Sequence, residues 1–444
     1  GSEMCIRDRC VKELTQVSFS THEILALSIF VIVYFFIISE IVHRTVIALL
    51  GAAVMIMSGI LTQTKAISYV DFNTIGLLVG MMLIVNITAE TGVFNFMALW
   101  SAQKVKARPL YLMGALALLT AVCSGFLDNV TTVLLTVPVT FSICKKLKIP
   151  VYPFLLVQIM SSNIGGTATM IGDPPNIMLS SAVPELNFVT FLSHLGAVCL
   201  LILIVTVAIF MLLFHKQLMT TEELCDEVMK MDAGAEITDA PLLKRCLFVL
   251  ALVIAGFIFH DFLHADNASI ALCGAALLML LTMRKNEESI GRVLGGVEWV
   301  ALFFFLGLFI IIGGLVETGV ITALAKAAMQ ATGGDMLTTT MLVLWLSAFA
   351  SAFIDNIPFV ATMIPLIKDM GNMGITNLDP LWWALSLGAC LGGNGTLIGA
   401  SANVVVASLA HGVKMTFAGY TRYGLPMMLL SIAISAIYIY FRYL

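Results

Sequence analysis

The stretch Gly165-Gly-Thr-Ala-Thr-Met-Ile-Gly-Asp-Pro-Pro-Asn176 interrupts a long apolar run, and Gly392-Gly-Asn-Gly-Thr-Leu-Ile-Gly-Ala-Ser-Ala-Asn403 interrupts another 227 residues later. Glycines let backbone approach closely, and Pro174-Pro175 forces a break in any helix that enters the segment. Working outward, Val70 to Asn176 lies over Val297 to Asn403 at that one offset and without a gap. Glu90-Thr91-Gly92-Val93 meets Glu317-Thr318-Gly319-Val320, Asp128-Asn129 meets Asp355-Asn356, and Pro138 and Pro153 meet Pro365 and Pro380. Further upstream, Ile47-Ala48-Leu49 and Gly51-Ala52-Ala53 echo Ile270-Ala271-Leu272 and Gly274-Ala275-Ala276. Apolar bias alone cannot align Asp, Asn, Pro and Glu in register, so the chain is a duplication.

The surroundings are those of a membrane protein. Of 444 residues, 60% are hydrophobic and 11% charged, and the mean hydropathy is +1.01. A soluble domain carries roughly 25% charged residues. Apolar runs near ~20 residues recur along the chain, each long enough for a hydrocarbon core of ~30 Å. The net charge of −4 gives no reason to expect nucleic acid. Nine scattered cysteines without a Cys-x-x-Cys pair suggest neither a disulfide framework nor a zinc site. Gly1-Ser2 reads as a tag remnant, with a polar segment after it to about Ser20.

Basic residues set the orientation. The apolar stretch Leu110–Ile143, centred on Asp128-Asn129, is flanked by Lys104, Lys106, Arg108, Lys145, Lys146 and Lys148 with no offsetting acid. Its copy, Leu337–Met370, is flanked by Lys326, Asp335, Lys368, Asp369 and Asp379. The first stretch therefore starts and ends in the cytoplasm and the second outside. Five expected crossings between equivalent helices, an odd number, give the same inversion. The expected fold is an all-α polytopic membrane protein with an inverted repeat, about ten membrane helices and two re-entrant hairpins tipped by Asp-Asn. Its expected parts are a polar segment (1–20), a first repeat (21–214), a cytoplasmic linker (215–244) and a second repeat (245–444). Thr74–Trp100 and Trp299–Ala328 read as single long helices.

Helices broken at mid-membrane expose free N–H groups on one half and free C=O groups on the other, which suits ion binding where the break faces a cavity. A membrane carboxylate costs roughly 2.5–3.5 kcal/mol on insertion scales and normally has a partner or a task. Asp128 and Asp355 are thus read as proton or Na⁺ ligands, or as caps on the half-helices that follow them. Asn129, Thr132, Gly165, Gly166, Thr167, Asn176, Asn356, Gly393, Asn394, Thr396, Ser401 and Asn403 supply neutral oxygens and close backbone around them. Asp173 stands where the second copy has Ala400, so the two breaks differ in charge. Glu90 and Glu317 read as hinge or interface residues bonded to Thr91 and Thr318. His260 and His264 have metal-ligand spacing beside Asp261 and Asp266, but they lie at an outer helix end and read as a solvated loop.

Phe126-Leu-Asp-Asn-Val-Thr-Thr132, the two Gly-rich breaks and Asp355-Asn-Ile-Pro-Phe359 together resemble the Ion Transporter superfamily. The likeness is to its ArsB/NhaD branch of citrate-transporter-like permeases, and most of all to the melanosomal P protein group. It covers nearly everything from Ile24 onward. The resemblance implies a homodimer, a scaffold domain, a moving transport domain and elevator-type alternating access. Sodium-coupled dicarboxylate relatives carry Ser-Asn-Thr at the hairpin tips, where this chain has Asp128-Asn129-Val130 and Asp355-Asn356-Ile357. Extra acid there disfavours a dianion and favours a proton or Na⁺, with Asn129 and Asn356 as the expected Na⁺ ligands.

The function so implied is ion-coupled secondary transport, as a Na⁺/H⁺ or H⁺-coupled antiporter, in a bacterial inner membrane and with no cofactor. Arsenite efflux, small-anion or dicarboxylate transport and a passive channel are the alternatives. An intramembrane aspartyl enzyme is disfavoured, because Met170, Ile171 and Gly172 precede Asp173 and the Gly-x-Gly-Asp pattern fails.

Overall fold

Without water in the hydrocarbon core each span must satisfy its own backbone, and the apolar runs fold accordingly as helices. The computed structural model describes residues 20–39, 41–283, 287–410, 413 and 415–444; apart from Ser20, the polar N-terminal segment lies outside them. The first copy contains α1 (Thr21–Ser39), α2 (Arg44–Met57), α3 (Gln63–Ser68), α4 (Phe72–Ala89), α5 (Val93–Lys104), α6 (Pro109–Phe126), α7 (Asn129–Leu147), α8 (Tyr152–Thr167), α9 (Pro174–Ala182) and α10 (Phe188–Phe214). α11 (Glu222–Met229) and a 3-10 turn (Ala233–Glu236) follow. The second copy contains α12 (Ala240–Ile258), α13 (His260–Leu263), α14 (Asn267–Thr282), α15 (Glu287–Gly295), α16 (Trp299–Glu317), α17 (Val320–Thr332), α18 (Met336–Phe353), α19 (Asn356–Asn372), α20 (Asp379–Gly392), α21 (Ser401–Leu409) and α22 (Phe417–Tyr443).

The first residues of α4 to α9 recur 227 positions later as the first residues of α16 to α21. Side-chain bonds keep the same register. Ser124 Oγ donates to Ser162 O and Ser351 Oγ to Ala389 O, both at 2.6 Å. Thr169 Oγ1 donates to Gly125 O, and Thr396 Oγ1 to Ala352 O. Gly392 lies so close to α18 that a Cβ would sit 2.6 Å from Ala348 O, and Gly165 is pressed likewise on Ala121 O of α6. Small residues at such seams let membrane helices approach backbone to backbone.

Among the described residues, nine helices are long and apolar enough to cross a membrane: α1, α4, α6, α7, α10, α12, α16, α18 and α22. α2 and α14 are shorter apolar helices. The hairpin arms α6 and α7 have 18 and 19 residues and extend beyond both ends of the stretch read from sequence.

Two sequence expectations change. Thr74–Trp100 is two helices, α4 and α5, because Gly92 adopts φ +74°, a left-handed turn that ends a helix. Gly319, at φ +83°, divides α16 from α17 in the same way. Within the segment 215–244, α12 already starts at Ala240, capped by Asp239. The rest of that segment is bonded to the first copy by Thr220 Oγ1 to Leu147 O (2.7 Å), Cys225 Sγ to Ala107 O (3.5 Å), Gln103 Nε2 to Met231 O (2.7 Å) and Thr238 N to Thr91 O (3.0 Å).

The chain forms two compact units, one of residues up to Val70 with Phe303–Lys326, the other of Asp71–Leu302 with Ala327–Leu444. In the smaller unit α1 packs on α2, and Gly307 lets α16 approach the Ala48 backbone, where a Cβ would lie 2.7 Å away. Lys65 pairs there with Glu317, which also accepts from Tyr69 Oη at 3.2 Å. The larger unit holds both hairpins and both broken helices, and with them every candidate site residue.

Candidate functional site

Within the larger unit the copies interlock: α9 packs on α19, α21 on α7, and α8 on α20. This crossing brings the two breaks and the two hairpin tips together.

Each break is closed by its own asparagine. Asn176, on the first turn of α9, donates to the carbonyls of Thr167 (3.1 Å) and Thr169 (3.0 Å) and more weakly to Gly166 (3.4 Å). Asn403, on the first turn of α21, donates to Gly393 O (2.7 Å) and Thr396 O (2.9 Å). The carbonyls left over where α8 and α20 end therefore have partners, and in this conformation their cation-binding capacity is taken by amide N–H groups.

Across the copies runs a chain of asparagines. Asn129 Nδ2 donates to Asn163 Oδ1 (3.1 Å), and Asn163 Nδ2 donates to Asn394 Oδ1 (2.9 Å) and Asn403 Oδ1 (3.0 Å). On the opposite side Ser386 Oγ (2.7 Å) and Cys390 Sγ (3.5 Å) donate to Asn176 Oδ1. Cys390 is the repeat equivalent of Asn163, so the two arrangements are the same contact with different side chains.

The acids separate into two kinds. Asp128 and Asp355 are helix caps: Thr131 N donates to Asp128 Oδ1 (2.8 Å) at the start of α7, and Ile357 N to Asp355 Oδ1 (3.4 Å) at the start of α19. Ser401 Oγ adds a bond to Asp355 Oδ2 at 3.0 Å. Asp173 occupies the cap position of α9 but makes no capping bond. Its carboxylate, 1% exposed, instead accepts from Asn356 Nδ2 of the other copy, 3.3 Å from each oxygen, with the Cys390 thiol beside it. Among the described residues no Lys, Arg or His pairs with it. A buried carboxylate held only by a neutral amide and a thiol carries a desolvation cost that a bound proton or cation would relieve.

Most of the residues singled out from sequence meet here: Asn129, Gly165, Gly166, Thr167, Asp173, Asn176, Asn356, Gly393, Asn394, Thr396, Ser401 and Asn403. Asp128 stays at its cap and bonds none of the central residues, and Thr132 is buried with its hydroxyl unpartnered. Asn163, Ser386 and Cys390 were not in that set. Asn163 opens the Gly-rich motif, and its divergence to Cys390 in an otherwise matched register was the available signal. Glu90 and Glu317 do not bond Thr91 and Thr318, whose hydroxyls turn back to their own helices at Thr88 O and Gly314 O. Glu90 lies 3.9 Å from Arg292 instead. Among the described residues no cluster of His, Cys, Asp or Glu could hold a metal ion; the side chain of Asp261, beside His260, lies outside them.

Residues 34–388 match the citrate transporter family. The chain belongs to that family. An uncharacterized transporter of Mycobacterium tuberculosis is similar to it, 43% identical over 95% of this chain and 98% of its own length. The human P protein is 33% identical over 95% of this chain, which spans 60% of the P protein's length. The YdaH transporter of Alcanivorax borkumensis shares the fold with a TM-score of 0.54 at 14% identity, covering 85% of this chain and 86% of that one. The protein is thus a multi-pass membrane transporter and not an enzyme, and mycobacterial relatives fit a bacterial inner membrane.

Proposed function

We propose that this family member is a proton- or Na⁺-coupled secondary transporter, most simply a Na⁺/H⁺ or H⁺-coupled antiporter, with Asp173 as its titrating group. The observation that carries the reading is the Asp173–Asn356 contact: a buried acid that reaches the other copy, with no basic side chain paired to it among the described residues and no capping bond to its own helix. The amide of Asn356 sits where a bound cation would sit. Displacing it with Na⁺, or protonating the carboxylate, are two ways to satisfy the same oxygens. Asn129, Asn356 and the backbone of both breaks would complete the ion's shell once Asn176 or Asn403 releases its carbonyls. Asp128 and Asp355 then serve chiefly to hold the hairpin tips.

In this reading the repeat is inverted, the hairpins are re-entrant, the 215–244 segment is cytoplasmic, and a homodimer works by elevator-type movement. The basic flanks of the first hairpin and the acidic ones of the second support the inversion. The family's citrate name raises a carboxylate cargo, but three acids at the tips and breaks, with no basic residue among the site residues, would repel a bare polyanion.

The test is reconstitution in liposomes containing a pH dye, with Na⁺, Li⁺, K⁺, arsenite, chloride and citrate added singly. Cargo-driven proton movement that disappears in Asp173→Asn is the expected result. Flux undiminished in that variant would remove Asp173 from the mechanism.

A further inference from the structure

The two copies match in backbone and in break chemistry, yet they differ along the helices that lead away from the centre. On α7 the middle of the buried face carries Asn129, Thr132, Thr136 and Thr140, spaced to fall in one row. Their repeat equivalents after Asn356 are Phe359, Met363 and Ile367. On α8 the face toward α6 carries Gln158, Ser161 and Ser162, again all buried, where α20 has Leu385, Gly388 and Ala389. Six buried polar side chains in the first copy thus stand against none in the second. The fixed acid follows the same division, with Asp173 against Ala400.

Three atoms in these rows lack a partner: Thr132 Oγ1, Gln158 Oε1 and Ser161 Oγ. A buried polar atom left unpaired costs about 1–3 kcal/mol, and natural proteins normally satisfy such atoms, often with ordered water. Gln158 and Ser161 are one turn apart, near enough for one water to bridge them. Gln158 already spends its amide on Thr120 Oγ1 at 3.2 Å, which fixes the orphaned oxygen in the α6–α8 seam. Thr136 and Thr140 donate to the carbonyls one turn back, at 2.9 and 3.0 Å, and a hydroxyl that donates still accepts.

We propose that the first copy holds bound water along these rows, and that this water is a one-sided proton route between the Asp173 centre and the end of the bundle where α7 turns into α8. The equivalent positions of α19 and α20 carry no counterpart. The row on α7 covers about 16 Å from Asn129 to Thr140. At its inner end Asn129 touches Asn163, and its N–H donates to Gly172 O, one residue from Asp173, at 3.1 Å. At its outer end the next buried residues are apolar, Cys144 and Leu147 on α7 and Phe154 and Leu155 on α8. The route is therefore closed toward the α7–α8 turn in this conformation and opens only when that end of the bundle moves.

This inference rests on the proton-coupled reading of Asp173, and two readouts separate their failures. The first is a water-resolving density map of the reconstituted protein. Water bonded to Thr132, Gln158 and Ser161, and none at Phe359, Leu385 and Gly388, is expected; a dry first-copy seam overturns the inference whether or not protons are moved. The second is the liposome pH assay on Thr132→Val and Gln158→Leu/Ser161→Ala, which keep volume and carry the second copy's polarity. A proton flux reduced at least about tenfold is expected, one unit of log rate or ~1.4 kcal/mol of barrier. The second-copy controls Ser347→Ala and Thr362→Val should run at the unmodified rate. Undiminished flux in the first-copy variants overturns the route, whereas an unmodified protein that moves no protons under any gradient counts against the coupling reading itself.

Discussion

Replacing Asp173 by Ala turns the first break into the second, and this makes it a sharp perturbation. Asp173 (φ −144°, ψ 133°) and Ala400 (φ −148°, ψ 147°) share one extended backbone conformation. The substitution therefore brings no strain, and its effect is electrostatic. Removing the carboxylate strands the Asn356 amide, worth about 1–3 kcal/mol against folding. It also removes a buried charge whose desolvation penalty is on the order of several kcal/mol. Asp173→Ala should then be neutral or stabilising while transport is lost. Asn356→Ala acts in the opposite sense, because the carboxylate keeps its burial and loses its amide donor; it should cost about 1–3 kcal/mol. In the double variant Asn356→Ala should cost almost nothing further, so the coupling energy equals most of the single-variant loss. Thermal unfolding of the purified protein at fixed pH and Na⁺ measures all four corners. If Asn356→Ala costs as much in the Asp173→Ala background as in the unmodified protein, the contact carries no energy and Asp173 is not a strained central acid.

Other expectations follow from the repeat. Ala107 sits in the left-handed region at φ +51° and its equivalent is Gly334 at φ +73°; the left-handed penalty of roughly 1–2 kcal/mol less a glycine entropy term of about 0.4–1 kcal/mol leaves Ala107→Gly stabilising by up to about 1.6 kcal/mol. Gly334→Ala, where nothing lies within 4 Å of the new Cβ, should destabilise by a similar amount, and melting temperatures that move in the same direction for both would contradict the assignment. Asn403→Ala frees the Gly393 and Thr396 carbonyls at the end of α20 and should lower stability by about 1–3 kcal/mol, read in the same unfolding assay, with Asn403→Asp failing to rescue because it cannot donate. Gly392→Ala forces a Cβ to 2.6 Å from Ala348 O; an overpacking cost of about 1–3 kcal/mol is expected, and a fully stable, fully active Gly392→Ala protein would mean that the α18–α20 seam is looser than described.

Sequence and structure agree where one residue's chemistry leaves no alternative. Pro174-Pro175 must break a helix, and the Asp-Asn pairs and the shared offset locate the hairpin tips and six matching helix starts. What sequence could not supply was which groups face each other. Asp128 and Asp355 look like the principal acids because each stands alone in an apolar run, yet each caps its own helix, Asp355 while also accepting from Ser401 of α21. Asp173 looks like part of a turn motif, yet the prolines that follow hold it off its own helix and against Asn356. Local spacing predicts capping, whereas the contact across copies depends on how α9 meets α19, a tertiary fact. The division of Thr74–Trp100 at Gly92 was open to sequence, since Glu-Thr-Gly-Val occurs in both copies; hydropathy concealed it because the turn lies between two apolar helices.

A perfectly repeated protein would present the same group to both sides of its centre and could not distinguish them. Here the backbone bonds keep the repeat: Ser124 and Ser351, Thr169 and Thr396, Asn176 and Asn403 make the same contacts. Side chains that face the centre depart from it: Asn163 against Cys390, Asp173 against Ala400, Thr132 against Phe359. The bonds that both copies retain either close a broken helix, as Asn176 and Asn403 do, or tie neighbouring helices at a seam, as Ser124 and Ser351 do. The divergent positions carry no backbone duty, and so charge and water could be concentrated in one copy without disturbing the frame. A cation held at Asp173, as proposed, would therefore meet more buried polar side chains along α7 and α8 than along α19 and α20. Swapping that polarity, with Ala400→Asp and Asp173→Ala in one chain, should keep the fold but deprive the acid of its polar approach, leaving an acid-bearing protein that moves protons far more slowly. Recovery of the full rate in that swapped protein would show that the acid alone, and not the polarity of its copy, sets the path.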